Sequence, residues 1–281
     1  MSKTQLNSAL WVVATPLGNL GDISRRAIST LKKARIIFAE DTRRAGQLLD
    51  NLEIKGPRFL SLHEHNEEQR IKTAIEQVEA GNDCCLVSDA GTPLMADPGY
   101  RLVRSFRQKN LPVIPVPGPC APIAALMASG IAPYPFTFLG FLPRKQGELE
   151  SLFTKWKDVP GTLVFFERKN RVTASLSAAF NILGPRELCI ARELTKKFEE
   201  FIPGTLGKTT INSDGLLGEI TIIIGPPLKD SAPTEKADLL KVVDRHVQEG
   251  CKLKQAAKLA SQECTGWNSK QIYNLMINKD N

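Results

Sequence analysis

Leu86-Val87-Ser88-Asp89-Ala90-Gly91-Thr92-Pro93-Leu94-Met95-Ala96-Asp97-Pro98-Gly99 decides how the chain is read. An apolar run stops at Ser88, and Gly, Pro, Asp, Ser or Thr fill most of the following positions. Helical spacing resumes at Tyr100. Such a turn, placed after a buried strand, exposes backbone donors and two carboxylates at the strand's carboxyl end. In open α/β sheets that is the edge where ligands bind. The same grammar recurs at Thr15-Pro16-Leu17-Gly18-Asn19-Leu20-Gly21-Asp22 and at Pro115-Val116-Pro117-Gly118-Pro119-Cys120-Ala121.

Around these loops, residues 10–130 alternate apolar runs with helical patterns. Leu10 to Ala14, Arg35 to Ala39, Pro57 to Ser61, Cys84 to Val87 and Val113-Ile114 read as strands. Helices carry Ala27, Ile28, Leu31 and Ala34 after a Ser24 cap, then Leu48, Leu49 and Leu52, then Gln69 to Ala80, Tyr100 to Gln108 and Ala121 to Ala128. The alternation predicts an α/β fold with a mostly parallel sheet. Ile131 to Phe136, with two prolines, reads as a linker. A second α/β unit follows. It has extended segments at Thr137 to Phe141, Thr162 to Phe166, Glu187 to Ala191 and Glu219 to Ile224, and helices at Gln146 to Trp156 and Val172 to Leu183. From about Thr234 three helical stripes remain, with breaks at Glu249-Gly250 and Thr265-Gly266. Their cadence suits either a helix-turn-helix or a small helical cap. The expected organisation is thus an N-terminal α/β domain over 1–132, a C-terminal α/β domain over 133–232 and a small helical domain over 233–281.

The chain has 281 residues, 42% hydrophobic and 24% charged, an ordinary globular composition. No apolar stretch is long enough to span a membrane, and the start is polar, so a cytoplasmic protein without membrane association is expected. Lys and Arg exceed Asp and Glu by 37 to 30, a formal charge of +7. That excess suits a polyanionic partner and equally suits plain solubility. The six cysteines form no C-x-x-C pair and do not join the three histidines at zinc spacing, so buried thiols and no metal are expected.

The first loop lacks G-x-G-x-x-G and G-x-x-x-x-G-K-[ST], which disfavours a dinucleotide site and a P-loop. Glu40-Asp41-Thr42-Arg43-Arg44 reads as a salt-bridged helix cap at Asp41 or Thr42, or as a cleft wall whose arginines meet phosphate. His63-Glu64-His65-Asn66 reads best as surface histidines rather than a metal site. Pro143-Arg144-Lys145, Glu167-Arg168-Lys169-Asn170-Arg171 and Arg192-Glu193 each follow a strand. Together they place positive charge between the two units, although each alone is also what a solvated helix start looks like.

Several motifs together resemble the tetrapyrrole-methylase superfamily of S-adenosylmethionine-dependent enzymes. They are Ala14 to Ala27, Ala39-Glu40-Asp41-Thr42-Arg43, Val87 to Gly99, Pro117-Gly118-Pro119-Cys120-Ala121 and Phe138-Leu139-Gly140-Phe141-Leu142-Pro143. Thr-Pro-Leu-Gly-Asn-Leu and Ser-Asp-Ala-Gly-Thr-Pro make the chain similar, over residues 9 to 279, to the bacterial ribosomal RNA small-subunit methyltransferase I family. That resemblance implies methylation of the ribose 2′-hydroxyl of cytidine-1402 in 16S ribosomal RNA, with S-adenosylmethionine as donor, the small ribosomal subunit as partner and a homodimer as the assembly. It also implies a cofactor cleft between the two α/β units. Its walls would be Leu17, then Gly91, Thr92, Pro93 and Met95, then Cys120 and Ala121, with Ala191, Glu219 and Ile220 opposite. The family usually has Ser after Pro-Gly-Pro, where this chain has Cys120. A backbone contact survives that change, whereas a hydroxyl contact weakens because a thiol is a poor donor.

In-line methyl transfer to a hydroxyl needs orientation and a proton acceptor. By loop position the candidates for base or orienting group are Glu40, Asp41, Asp22 and Glu167. Arg43, Arg144, Lys145 and Arg168 are the candidates for RNA phosphate. A tetrapyrrole-like small-molecule methylase of the same fold and a non-catalytic RNA-binding protein stand as alternatives.

Overall fold

The computed structural model describes residues 8–63, 65–209, 218–228, 235–264 and 267–277. Glu64, the Thr265-Gly266 break and the segment holding the expected boundary at 232 lie outside the described residues. Residues up to Pro226 form one compact unit, and Pro227 onward a second.

The first unit opens with β1 (Leu10–Val13), α1 (Arg25–Lys33), β2 (Ile36–Ala39), α2 (Thr42–Asn51), β3 (Arg58–Ser61), α3 (Glu67–Glu79), β4 (Cys84–Leu86), α4 (Tyr100–Gln108), β5 (Val113–Val116) and α5 (Ala121–Ala128). The five strands pair in the order β3-β2-β4-β1-β5, and every pair is parallel. Both faces of this sheet are covered, which is why its strands read as unbroken apolar runs. Alternation still governs each strand. Ile36, Phe38, Cys84 and Leu86 face α3 and α4, packing with Ala74, Val78, Leu102 and Phe106. Ile37, Ala39, Cys85 and Val87 face α1 and α2, packing with Ala27, Leu31, Ala45 and Leu49. Burial, reinforced by the charge of Asp83, pushes the Cys84 thiol up to about 12, so it stays protonated at neutral pH.

Ser24 caps α1, its side chain accepting from the Ala27 N–H at 3.0 Å. Replacing it with alanine orphans that donor. Ser24→Ala should lower stability by about 1 kcal/mol in urea denaturation, with no change in ligand binding.

The second sheet contains β6 (Phe136–Phe141), β7 (Thr162–Glu167), β8 (Glu187–Arg192), β9 (Glu200–Thr205) and β10 (Ile220–Ile224), in the order β6-β7-β10-β8-β9. Only β6 and β7 are parallel; the remaining pairs are antiparallel. One face packs on α6 (Gln146–Trp156) and α7 (Val172–Leu183), through Phe153, Leu176 and Leu183 against Leu163, Phe165 and Ile222. The other face is covered by α5, whose Ala125 and Leu126 meet Val164, Cys189, Ala191 and Ile223. The helix that leaves the first sheet therefore roofs the second. This explains its even apolarity, with Ile123 and Met127 left exposed. Strand β9 is absent from the sequence reading. Pro203 and Gly204 mask it, and they are tolerated because, among the described residues, β9 lies on the sheet edge and pairs only with β8.

The second unit holds α8 (Lys236–Gln248), α9 (Leu253–Glu263) and α10 (Ser269–Ile277). Leu239, Val243, Ala256, Ala257, Ala260 and Ile272 form its core. His246 is buried there between Glu249 at 3.1 Å and Glu263 at 2.7 Å.

Candidate active site

Because β4, β1 and β5 are neighbours, their three exit loops lie side by side at the carboxyl edge of the parallel sheet. They are stitched together. The Thr15 N–H donates to the Gly91 carbonyl at 2.8 Å, and the Gly91 N–H returns to the Thr15 carbonyl at 3.1 Å. The Thr92 hydroxyl donates to the Pro119 carbonyl at 2.9 Å. Within the second loop, Leu94 and Ala96 hold φ of 73° and 74°, a left-handed conformation that side-chain-bearing residues rarely keep away from functional sites.

These loops form one side of a cavity of about 670 Å³, within the usual range for small-ligand sites. Leu17, Gly91, Thr92, Met95, Cys120 and Ala121 line it, and Gly218, Glu219 and Ile220 line it from the second sheet. Pro93 is buried beside this wall rather than on it. Ala191 is fully buried, paired with Thr221 of β10, and Thr221 takes the place on the lining that Ala191 lacks.

A strap from the segment after β8 joins the two sides. The Asn19 N–H donates to the Thr195 hydroxyl at 3.1 Å, and Lys196 pairs with Glu193 at 3.0 Å and Glu219 at 3.1 Å. The stem of Lys196 crosses Gly18 so closely that a Cβ there would lie 2.2 Å from its Cγ.

The charged candidates separate into distinct places. Glu167 lines the cavity but is 3% exposed. Its carboxylate accepts from the Ser175 hydroxyl at 2.6 Å and the Arg168 N–H at 2.8 Å, and pairs with Arg171 at 3.6 Å. The Arg168 side chain is exposed on the lining, beside Lys169 and Asn170. Glu40, Asp41 and Arg43 gather instead at a shallower hollow of about 380 Å³ with Ser61 and His63. Asp89 borders both spaces. Asp41 caps α2 by accepting from the Arg43 N–H, and the Arg43 guanidinium folds back on it at 2.7 Å. Those hydrogen bonds hold the Asp41 carboxyl well below the usual range. Asp22 is exposed on the single turn Leu20–Asp22 and lines neither space. Arg144 and Lys145 are likewise exposed and outside both, with Lys145 paired to Glu148 at 3.0 Å.

Several lining residues were not singled out from sequence. Arg44 follows Arg43 by one residue, hence by about 100° around the helix. It therefore reaches Asp89 at 3.3 Å instead of its own cap. Phe141 is 56% exposed on the lining, tilted against Phe166 with ring centroids 5.3 Å apart. Asp97, half-buried on the wall, has its carboxyl pushed up to about 6. Burial is the main cause, followed by the charges of Glu40 and Asp89, against a hydrogen bond from Ser88. Among the described residues no group of His, Cys, Asp or Glu converges as metal ligands, and no helix is long and apolar enough to cross a membrane.

Comparison with known proteins adds a family to this geometry. The profile of the Tetrapyrrole (Corrin/Porphyrin) Methylases matches residues 9–210. Ribosomal RNA small subunit methyltransferase I of Neisseria meningitidis serogroup A is 39% identical, covering 100% of this chain and 97% of its own. The protein of that name from Mesorhizobium japonicum is 41% identical over 97% and 92%, and that from Bacillus subtilis 39% over 90% and 88%. Among solved structures, cobalt precorrin-4 methyltransferase shares the fold at a TM-score of 0.57 and 15% identity, covering 78% of this chain and 95% of that one. Uroporphyrin-III C-methyltransferase of Thermus thermophilus, complexed with S-adenosylhomocysteine, does so at 0.53 and 18%, covering 78% and 97%. With its two sheets, its stitched loops and these relatives along nearly its whole length, the chain belongs to the tetrapyrrole methylases and, within them, to the ribosomal RNA small subunit methyltransferase I family.

Proposed function

We propose that this chain transfers a methyl group from S-adenosylmethionine to the ribose 2′-hydroxyl of a cytidine, cytidine-1402, of 16S ribosomal RNA, working in the cytoplasm on the small ribosomal subunit. The observation that carries this reading is the cavity between the stitched loops and the second sheet. It belongs to a chain whose relatives bear the ribosomal RNA methyltransferase name over nearly all of their length.

The cavity suits the donor. Leu17, Met95, Ala121 and Ile220 offer apolar walls, and Gly91 brings bare backbone to the lining where a Cβ would sit 2.9 Å from Leu17. Such mixed walls match an adenosine and a methionine moiety. The bound donor supplies an activated methyl on a good leaving group, so the protein's work is orientation and proton removal. Arg168 and Lys169, exposed on the lining, are placed for RNA phosphates, and Arg43, Arg144 and Lys145 extend that charge outside it. Ile123 and Met127, one turn apart and 47% and 81% exposed on α5, give the expected homodimer an apolar face.

The test offers labelled S-adenosylmethionine and the purified protein to small subunits lacking endogenous modification, with tetrapyrroles in parallel. Label recovered as alkali-resistant 2′-O-methylcytidine is the expected result. Label in the tetrapyrrole alone, or cofactor binding with no transfer to RNA, overturns the reading.

A further inference from the structure

Strand β6 carries one residue more than its pairing with β7 needs. Phe138 pairs with Val164, yet Phe141 pairs with Phe166, three steps on β6 against two on β7. Gly140 sits in this bulge with φ of 67°. Nothing lies within 4 Å of where its Cβ would be, so only the left-handed backbone calls for glycine there. The extra residue changes the face that Phe141 takes. Leu139 packs on the helix-covered face with the core around Phe165, and strict alternation would set Phe141 on that face too. The bulge returns Phe141 to the face of Phe138, where both rings meet Phe166, with centroids 4.9 and 5.3 Å away. Phe141 thereby stands 56% exposed on the cavity lining.

Resting on the proposed methyl transfer, we propose that Phe141 is the platform on which the base of the acceptor nucleotide stacks. A ribose brought into the cavity carries its base out of the RNA stack, and that base loses the π faces of its neighbours. An exposed aromatic ring replaces them, which is how unstacked RNA bases are commonly held. Phe166 backs the Phe141 ring on one side, and the exposed remainder faces the cavity. The platform fixes where the base lies, and through the base it aims the ribose hydroxyl at the donor.

The surroundings favour an RNA nucleotide over the adenine of the donor. The apolar donor walls at Leu17, Ala121 and Ile220 lie on the exit loops of the first sheet and on β10. Phe141 lies on the edge strand β6, and β7 separates it from β10. Two strand spacings make about 10 Å, room for the ribose that joins the base to the reacting oxygen. Arg168 and Lys169, which follow β7, are exposed on the same lining. The Glu167 carboxylate pairs with Arg171 and takes only the backbone N–H of Arg168, so the Arg168 guanidinium is left for phosphate. An aromatic face with cations at its margin suits a base and the phosphates on either side of it.

The experiment compares wild type with Phe141→Tyr, Phe141→Trp, Phe141→Leu and Phe141→Ala on small subunits lacking endogenous modification. It reads kcat, subunit affinity by filter binding, S-adenosylmethionine affinity by calorimetry, and the melting temperature. Phe141→Tyr and Phe141→Trp keep a π face and should hold kcat within about threefold of wild type. Phe141→Leu and Phe141→Ala should lower kcat by about tenfold or more. Subunit affinity, carried mainly by phosphate contacts, and donor affinity should stay at the wild-type level. Phe141→Leu keeps an apolar side chain against Phe166, so its loss of rate separates stacking from packing. Wild-type kcat in Phe141→Leu, or a melting temperature that falls in step with kcat, overturns the platform. Donor or subunit affinity falling in step with kcat assigns the ring to adenine or to docking, and overturns it equally. Absence of wild-type transfer to RNA instead overturns the methyl-transfer reading, and the platform with it.

Discussion

Glu167→Ala should lower unfolding stability by about 3 kcal/mol, more than any other single exchange of a cavity carboxylate. Glu167 is 3% exposed, so its charge is tolerated only through its partners. Removal orphans the buried Ser175 hydroxyl and the Arg168 N–H, both of which donate to it. It also strips the anion from Arg171, whose guanidinium donates to the Leu142 carbonyl at 3.2 Å and the Pro143 carbonyl at 2.5 Å. That guanidinium ties the chain leaving β6 to the end of β7. Breaking a buried pair on one side typically costs about 3–5 kcal/mol, and the low end applies because the Arg171 side chain is 25% exposed. Urea denaturation at neutral pH measures the loss. A stability change under about 1 kcal/mol, together with a collapse in rate, would show that Glu167 serves the chemistry instead of the scaffold.

The second large effect is expected at Gly91. Its φ of 75° lies in the left-handed region, where a side chain costs about 1–2 kcal/mol and a β-branched one more. The loop has no easy escape, because the Gly91 N–H and carbonyl are both bonded to Thr15. A Cβ would also lie 2.9 Å from Leu17 Cδ2 and 3.6 Å from the Pro119 carbonyl, on the cavity wall. Gly91→Val should therefore reduce affinity for S-adenosylmethionine by at least tenfold, about 1.4 kcal/mol, and lower the melting temperature as well. Titration calorimetry on the folded variant checks this. Wild-type affinity would remove the second loop from the donor site.

Much of this molecule is written in local chemistry. Strand ends at Ala14, Ala39 and Val87 are legible because an apolar run meets Gly, Pro and Asp within a few residues, and those residues act on their own backbone. Caps at Ser24 and Asp41 are legible for the same reason, since each side chain bonds an N–H only two or three residues ahead. Leu17, Met95, Cys120 and Ala121, which the family resemblance had named, do stand on the apolar wall of the cavity.

Charge placement could not be read this way, because an ionisable group's role depends on what the fold brings opposite it. Arg43 and Arg44 are adjacent in sequence yet serve different carboxylates. Glu167 closes β7 and Glu40 comes directly after β2, yet Glu167 is sealed among partners while Glu40 stays exposed. Asp97 is one of several acids in the loops, and its raised carboxyl depends on burial and on Glu40, far back along the chain. Strand β9 and the position of α5 over the second sheet are decided the same way, by an edge partner and by an exposed sheet face. The sequence by itself determined where the chain turns and which loops gather at the cavity, because turns and caps are short-range. Only the tertiary structure decided which charges are neutralised and which remain available, because ion pairing and desolvation depend on distances between residues remote in sequence.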